Sequence, residues 1–151
     1  MSKKYLITYY SWSGNTKKAA ENIAAQLPDS DLAEIKVAPD VFSSDMYETF
    51  DISKEQIVNN DYPEINVNVD GFDKYDLILV GSPVWGGKPA TPIYTFLKKL
   101  KGYKGKVASF YTDAGSVGDY DKIFKEWAAG LDVLPSGHAD RKLDEWTLAL
   151  Q

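Results

Sequence analysis

Two short runs of almost uninterrupted apolar residues most constrain what this chain can fold into. Residues 5–10 read Tyr-Leu-Ile-Thr-Tyr-Tyr, and residues 76–81 read Asp-Leu-Ile-Leu-Val-Gly. Neither run alternates with polar residues, as a strand with one solvated face would. Such runs are typical of strands that are covered on both faces, as in a parallel sheet between helices.

Helical patterns separate these strands. Ala19, Ala20, Ile23, Ala24 and Leu27 recur at helical spacing, which predicts a helix over 17–27 that ends before Pro28. We predict further helices over 44–59, 92–100, 120–129 and 143–150, and strands over 32–37, 106–111 and 132–134. In the helix over 44–59 we expect Met46, Phe50 and Ile57 to face inward. The alternation implies right-handed crossovers and an α/β fold with a mostly parallel sheet and helices on both faces.

Composition limits the classes of function. The 151 residues, 44% of them hydrophobic and without internal repeats, fit a single domain over 1–151. The 17 basic and 22 acidic residues argue against a nucleic-acid partner, which requires a basic face. Cysteine is absent, which excludes disulfides and thiolate nucleophiles. We find no signal peptide and no membrane-spanning stretch, so we expect a cytoplasmic protein without a membrane partner.

The segment after the first strand is rich in hydrogen-bond donors. Loop 1, residues 11–16, reads Ser-Trp-Ser-Gly-Asn-Thr and leads directly into the first predicted helix. Free backbone N–H groups and the positive end of the helix dipole at this position favour a phosphate. Because loop 1 contains no Lys or Arg, we expect a phosphate monoester that is held by neutral donors. The alternative is an ordinary Ser-rich turn that caps the helix.

Two more segments are expected at the same edge of the sheet. Parallel α/β sheets bind ligands outside the carboxyl ends of their strands. Loop 2, residues 82–89, and loop 3, residues 112–119, follow the third and fourth predicted strands. Both loops are rich in Gly, Ser, Thr or aromatic residues.

These three loops resemble the cofactor loops of the flavodoxin family. The likeness lies in Ser-Trp-Ser-Gly-Asn-Thr at 11–16, Gly-Ser-Pro-Val-Trp-Gly-Gly at 81–87 and Thr-Asp-Ala-Gly-Ser at 112–116. The resemblance implies a five-stranded parallel sheet of order 2-1-3-4-5, helices on both faces, and one FMN bound without a covalent bond. It implies no catalytic residue and no metal. The implied FMN-binding residues are Ser11, Trp12, Ser13, Gly14, Asn15, Thr16, Pro83, Val84, Trp85, Gly86, Gly87, Thr112, Asp113, Ala114, Gly115 and Ser116.

Aromatic residues and glycines in these loops suggest individual roles. We expect Trp85 to stack on the flavin ring, the alternative being a core position. Trp12 either covers the phosphate or ribityl chain or packs on the surface. Gly86 and Gly87 allow a peptide between them to take either orientation. The resemblance implies that a peptide here turns its carbonyl toward flavin N5 when that atom is protonated.

Other residues have less defined roles. A carboxylate at Asp113 would disfavour a negatively charged reduced flavin by Coulomb repulsion. His138 is the only histidine, and we expect it at the surface, without a metal-spaced partner. The connection over 39–75 is long enough to contain its own structure, and its role is left open.

Two functions agree with this pattern. The first is an electron-transfer flavoprotein that works between a reductase and an electron acceptor. The second is an FMN-dependent NAD(P)H:quinone or flavin reductase that acts on a small quinone, although no separate nicotinamide motif is evident. A module that has lost FMN is a third possibility. A phosphorelay receiver is disfavoured, because Thr8, Tyr9 and Tyr10 stand where its acidic pair would be.

Overall fold

A computed structural model describes residues 3–113 and 117–151 of the chain. The strands are β1 (Tyr5–Tyr9), β2 (Ser30–Glu34), β3 (Leu77–Trp85), β4 (Lys88–Pro89), β5 (Lys106–Thr112), β6 (Asp132–Val133) and β7 (Gly137–His138). The helices are α1 (Asn15–Gln26), α2 (Met46–Val58), α3 (Thr91–Lys99), α4 (Tyr120–Trp127) and α5 (Leu143–Ala149).

The central sheet confirms the predicted strand order. Its main path is β2-β1-β3-β5-β6, and every pair along it is parallel. Counted by the five predicted strands, this is the order 2-1-3-4-5. Two short strands raise the count to seven: β4 folds back antiparallel on β3, and β7 pairs with the far end of β5.

The two apolar runs form the centre of the fold, with a core on each face of the sheet. Leu6, Ile78 and Val80 belong to one core, which includes residues of α3 and α4. Ile7 and Leu79, which are opposite each other in the β1–β3 register, belong to the other core with residues of α1 and α5. Both are fully buried, and each such side chain contributes about 1.5–3 kcal/mol of hydrophobic stabilisation.

The connection between β2 and β3 differs from the sequence-based expectation. The predicted strand over 32–37 is observed at Ser30–Glu34, because Lys36 leaves β1 and makes an antiparallel bridge with Asn66. Within this connection α2 begins at Met46, one residue after Asp45, whose carboxylate accepts the backbone N–H of Tyr47 at 2.8 Å. The inward position predicted for Met46 was wrong: in the first turn it is 41% exposed.

Candidate functional site

Loops 1, 2 and 3 meet at one edge of the sheet. The hydroxyl oxygens of Thr16 and Thr112 lie 2.9 Å apart and join loop 1 to loop 3. Loops 2 and 3 touch through their backbones, because a Cβ placed on Gly118 would lie 2.6 Å from the Cα of Gly87. The strands explain this convergence: β1, β3 and β5 are neighbours, and parallel strands end at the same edge.

Loop 1 forms a cradle at the start of α1. The hydroxyl of Ser11 accepts the backbone N–H groups of Gly14 at 3.0 Å and Lys17 at 3.3 Å. Gly14 has a φ of 97°, and the space beside its Cα is open to 4 Å. The N-cap residue of α1 is Gly14, which has no side chain to cap the helix, and the first turn contains no acidic residue. The start of α1 thus suits a phosphate.

The remaining side chains of loop 1 differ in exposure. Ser13 and Asn15 are exposed at the cradle, whereas Thr16 is buried. Trp12 is half-buried, and its indole N–H donates to the carbonyl of Ser43 at 2.9 Å. Since the Thr49 hydroxyl donates to the same carbonyl at 2.8 Å, loop 1 is anchored to the start of α2. The role predicted for Trp12 at the phosphate or ribityl chain stays a prediction.

Loop 2 is a tight hairpin between β3 and β4. Trp85 pairs with Lys88, which leaves Gly86 and Gly87 as the two central residues of the turn. Their φ values are 60° and 77°, and positive φ at both positions is characteristic of a type I′ turn. Rotation of the peptide between them gives a type II′ turn, in which only the first central residue keeps a positive φ. Pro83 and Val84 lie in β3, just before this turn.

Trp85 points into the core beneath loop 2. Its side chain is 5% exposed, and it packs edge-on against Tyr10 at 5.7 Å and Phe42 at 4.9 Å between ring centroids. Phe50 lies further out, at 6.5 Å. This burial agrees with the alternative of a core position, and the stacking role stays a prediction. The same burial raises the pKa of the neighbouring Tyr10 hydroxyl.

A buried hydroxyl network supports loops 2 and 3 from below. The Ser82 hydroxyl accepts the backbone N–H of Ala90 at 2.9 Å, which holds the hairpin closed. Tyr120, at the start of α4, is fully buried with its hydroxyl 2.7 Å from that of Ser109. Burial raises the pKa of Tyr120, so its hydroxyl stays protonated. This network was not predicted from the sequence, although polar Ser82 and Ser109 interrupt otherwise apolar strands.

A cavity of about 500 Å³ lies beside loop 2. Its walls come from α2 and from the hairpin, and they include Phe50, Ile57, Trp85 and Gly86. Lys54 and Lys88 add two cations at this cavity, and Asp51 adds one carboxylate. Apolar walls with a few polar and charged groups suit a small planar molecule that carries polar substituents such as carbonyl oxygens.

Loop 3 is described in part. Thr112 and Asp113 are half-buried at the end of β5, whereas Ala114, Gly115 and Ser116 lie outside the described residues. The carboxylate of Asp113 lies 2.7 Å from Nε2 of His138, in β7. The expectation of a surface histidine was wrong, since the His138 side chain is only 10% exposed. The described residues contain no cluster of acidic or histidine side chains that could hold a metal ion.

Comparison with known proteins gives consistent matches. A family model described as Flavodoxin matches residues 4–134. A flavoprotein from Lactobacillus acidophilus NCFM, crystallised in complex with FMN, is 50% identical, with a TM-score of 0.91 over 97% of this chain and 99% of that chain. The apo-form from the same organism, determined by NMR, is 51% identical, with a TM-score of 0.78 over 97% and 98% of the two chains.

More distant structures share the fold. Two-electron reduced flavodoxin from Megasphaera elsdenii is 20% identical, with a TM-score of 0.51 over 89% of this chain and 84% of that chain. No curated protein sequence matches this chain. Within residues 3–113 and 117–151, every helix is too short or too polar to cross a bilayer.

Proposed function

Because this chain belongs to the flavodoxin family, we propose that it binds one FMN non-covalently across loops 1, 2 and 3 and transfers electrons through it. The observation that carries this proposal is the convergence of the three loops at one sheet edge, where Thr16 meets Thr112 and Gly87 meets Gly118. The flavoprotein that shares half of its residues with this chain was crystallised with the same cofactor.

The residues at this edge fit FMN. The start of α1, with Ser11, Ser13, Asn15 and Thr16, would hold the phosphate through N–H and hydroxyl donors. Loops 2 and 3 would hold the ring. FMN supplies the redox chemistry when bound, and the protein binds it, orients it and tunes its potential.

The charge of the protein favours a low reduction potential. Loop 1 contains no Lys or Arg, and the net charge is −5. The Asp113 carboxylate adds negative charge in loop 3. Since like charges repel, the net negative charge and the Asp113 carboxylate disfavour a further negative charge on the cofactor, and loop 1 supplies no cation to offset them; Lys54 and Lys88 beside loop 2 act in the opposite direction.

As an electron carrier, the protein would work between a reductase and an electron acceptor. Electron transfer to such partners takes place at the cofactor itself, so it requires only that one edge of the cofactor is accessible. No residue of the chain has to act as an acid or base. The cytoplasmic location expected from the sequence stays a prediction.

The alternative is an FMN-dependent reductase of a small quinone or flavin. The cavity beside loop 2 favours it, since Phe50, Ile57 and Trp85 provide apolar walls and Lys54 and Lys88 provide cations for carbonyl oxygens. In this case the cavity would hold the second substrate next to Gly86.

A redox titration tests the proposal and separates the two functions. The FMN-free protein is titrated with FMN and then reduced stepwise without oxygen. Two separate one-electron steps, with no turnover of NAD(P)H and a quinone, support the electron carrier. A single two-electron step with rapid turnover supports the reductase. Absence of FMN binding refutes both functions.

A cavity-filling variant sharpens this test. Ile57→Trp reduces the cavity from α2, whereas Ile123→Trp, a half-buried site on α4, serves as a matched control away from it. If the protein is a reductase, Ile57→Trp raises the KM for the quinone and leaves FMN affinity unchanged. An unchanged KM in an active enzyme excludes the cavity as the substrate site.

A further inference from the structure

The single histidine makes hydrogen bonds through both ring nitrogens. Nδ1 of His138 lies 3.0 Å from the backbone N–H of Asp140, and because an N–H can only donate, Nδ1 must accept. The proton of the neutral ring is therefore on Nε2, which lies 2.7 Å from a carboxylate oxygen of Asp113. The direction of the contact follows: His138 donates and Asp113 accepts. A hydrogen bond to a carboxylate is stronger than one between neutral groups.

The backbone around His138 is firmly held. β7 pairs with β5 so that His138 is opposite Tyr111, and the N–H of Ala139 donates to the Tyr111 carbonyl at 2.9 Å. Gly137 packs directly on the indole of Trp146, leaving no room for a side chain. The Trp146 indole N–H in turn donates to the Pro135 carbonyl at 2.9 Å. β7 thus presents the imidazole from a fixed backbone.

Asp113 lies at the other end of this contact, in a loop that the proposed function assigns to FMN. It directly follows Thr112, whose hydroxyl contacts Thr16 at the phosphate cradle. It also precedes Val117 and Gly118, which lead to the contact with Gly87 in loop 2. A displacement of Asp113 would therefore act on its neighbour Thr112 and, through it, on the contact between loops 1 and 3.

We propose that His138 is a positioning residue for the flavin site: its Nε2–H group holds the Asp113 carboxylate toward β7 and thereby fixes both the position of Asp113 after β5 and the location of its negative charge. This inference rests on the proposed function, because it requires FMN to bind against loop 3. His138 itself need not touch the cofactor. Its effect on FMN affinity and on the reduction potentials would pass through Asp113.

Three variants separate this role from a general contribution to stability. His138→Phe keeps a ring but removes the donor. His138→Gln restores an N–H donor close to the position of Nε2. Tyr103→Phe removes a buried hydrogen bond to the Tyr75 carbonyl at 2.8 Å, at the opposite edge of the sheet from loop 3.

The measurements are FMN affinity from fluorescence titration, the two one-electron potentials, and urea unfolding of the FMN-free protein. We expect His138→Phe to weaken FMN binding roughly tenfold and to shift both potentials, because a hydrogen bond to a charged group is lost. His138→Gln recovers most of the affinity and the wild-type potentials. Tyr103→Phe lowers the free energy of unfolding but leaves affinity and potentials unchanged.

Nitrogen NMR of the FMN-free wild-type protein tests the contact independently of the cofactor. We expect the tautomer with the proton on Nε2; a proton on Nδ1 overturns the proposal even if FMN binds as proposed. The proposal is also overturned if His138→Gln behaves like His138→Phe, or if Tyr103→Phe produces the same shifts in potential. If the wild-type protein binds no FMN, the proposed function fails, whereas the NMR result still decides the His138–Asp113 contact.

Discussion

Replacing Gly87 by alanine tests whether FMN binds to the type I′ turn of loop 2. With a φ of 77°, an alanine at this position costs about 1–2 kcal/mol relative to its preferred conformations. Its Cβ would also lie 3.2 Å from the Cα of Gly118, closer than an ordinary contact. In the type II′ turn the second central residue has a negative φ, so alanine avoids the strain there.

The FMN-free Gly87→Ala variant can therefore avoid the strain by changing to the type II′ turn, whereas a variant bound to FMN through the type I′ turn cannot. If FMN requires the type I′ turn, binding must restore the strained conformation, and Gly87→Ala weakens FMN affinity by about 5- to 30-fold, the equivalent of 1–2 kcal/mol. The free energy of unfolding of the FMN-free variant falls by less than this strain energy. Fluorescence titration gives the affinity, and urea unfolding gives the stability.

Two other glycines are matched controls. Gly86 has a φ of 60°, with nothing within 4 Å of an added Cβ, and it keeps a positive φ in both turn types. Gly86→Ala should thus lose stability with little change in affinity. Gly102, just after α3, has a φ of 89°, so Gly102→Ala introduces a similar backbone strain at a position away from the three loops. If Gly87→Ala binds FMN as tightly as Gly102→Ala does, the reasoning about loop 2 is refuted.

Three further predictions concern the cradle, a helix cap and alkaline pH. Ser11→Ala removes a hydroxyl that would donate to the phosphate and that accepts two backbone N–H groups of loop 1. We expect roughly tenfold weaker FMN binding by fluorescence titration; unchanged affinity contradicts a phosphate site at the cradle. Asp45→Ala removes the cap of α2 and should lower the free energy of unfolding in urea by about 1 kcal/mol, with FMN affinity unchanged. Burial, with a hydrogen bond to Asp31, raises the pKa of Tyr75 from 10.0 to about 12. The folded protein thus holds this proton more tightly than the unfolded chain does, so the stability that Tyr75 contributes is complete below pH 10 and is lost as the pH rises to about 12. Tyr75→Phe should reduce this loss in urea unfolding across that range, and an unchanged loss contradicts the assignment.

The main elements of the fold are predictable because their sequences are locally consistent. The apolar runs that became β1 and β3 have no exposed face, and the spacing of Ala20 and Ile23 matches the buried side of α1. The two-residue strands β4 and β7 were not predictable, because two residues are too few to show a hydrophobic pattern. β4 is the return strand of a hairpin, and β7 is a short pairing with the end of β5. The predicted end of β2 was wrong because Lys36 bridges to Asn66, which lies in a distant part of the sequence.

The site was predictable as a set of loops and less so as a set of side chains. Strand order alone brings loops 1, 2 and 3 to one edge. The burial of Trp85 depends on Phe42 and Phe50, which reach it from the long connection over 39–75. The contact between Asp113 and His138 depends on β7 pairing with β5, a tertiary event with no local signal.

The divided strand at the far edge of the sheet has a consequence for self-association. β6 and β7 pair with opposite ends of β5, and Pro135, which has no N–H group, stands between them. A neighbouring chain that approaches this edge finds two short pieces of backbone instead of a continuous row of donors and acceptors. Interrupted edges of this kind resist the strand-to-strand addition that leads to aggregation. The break between β6 and β7, which lets β7 carry His138, thus also protects the sheet against growth through its open side.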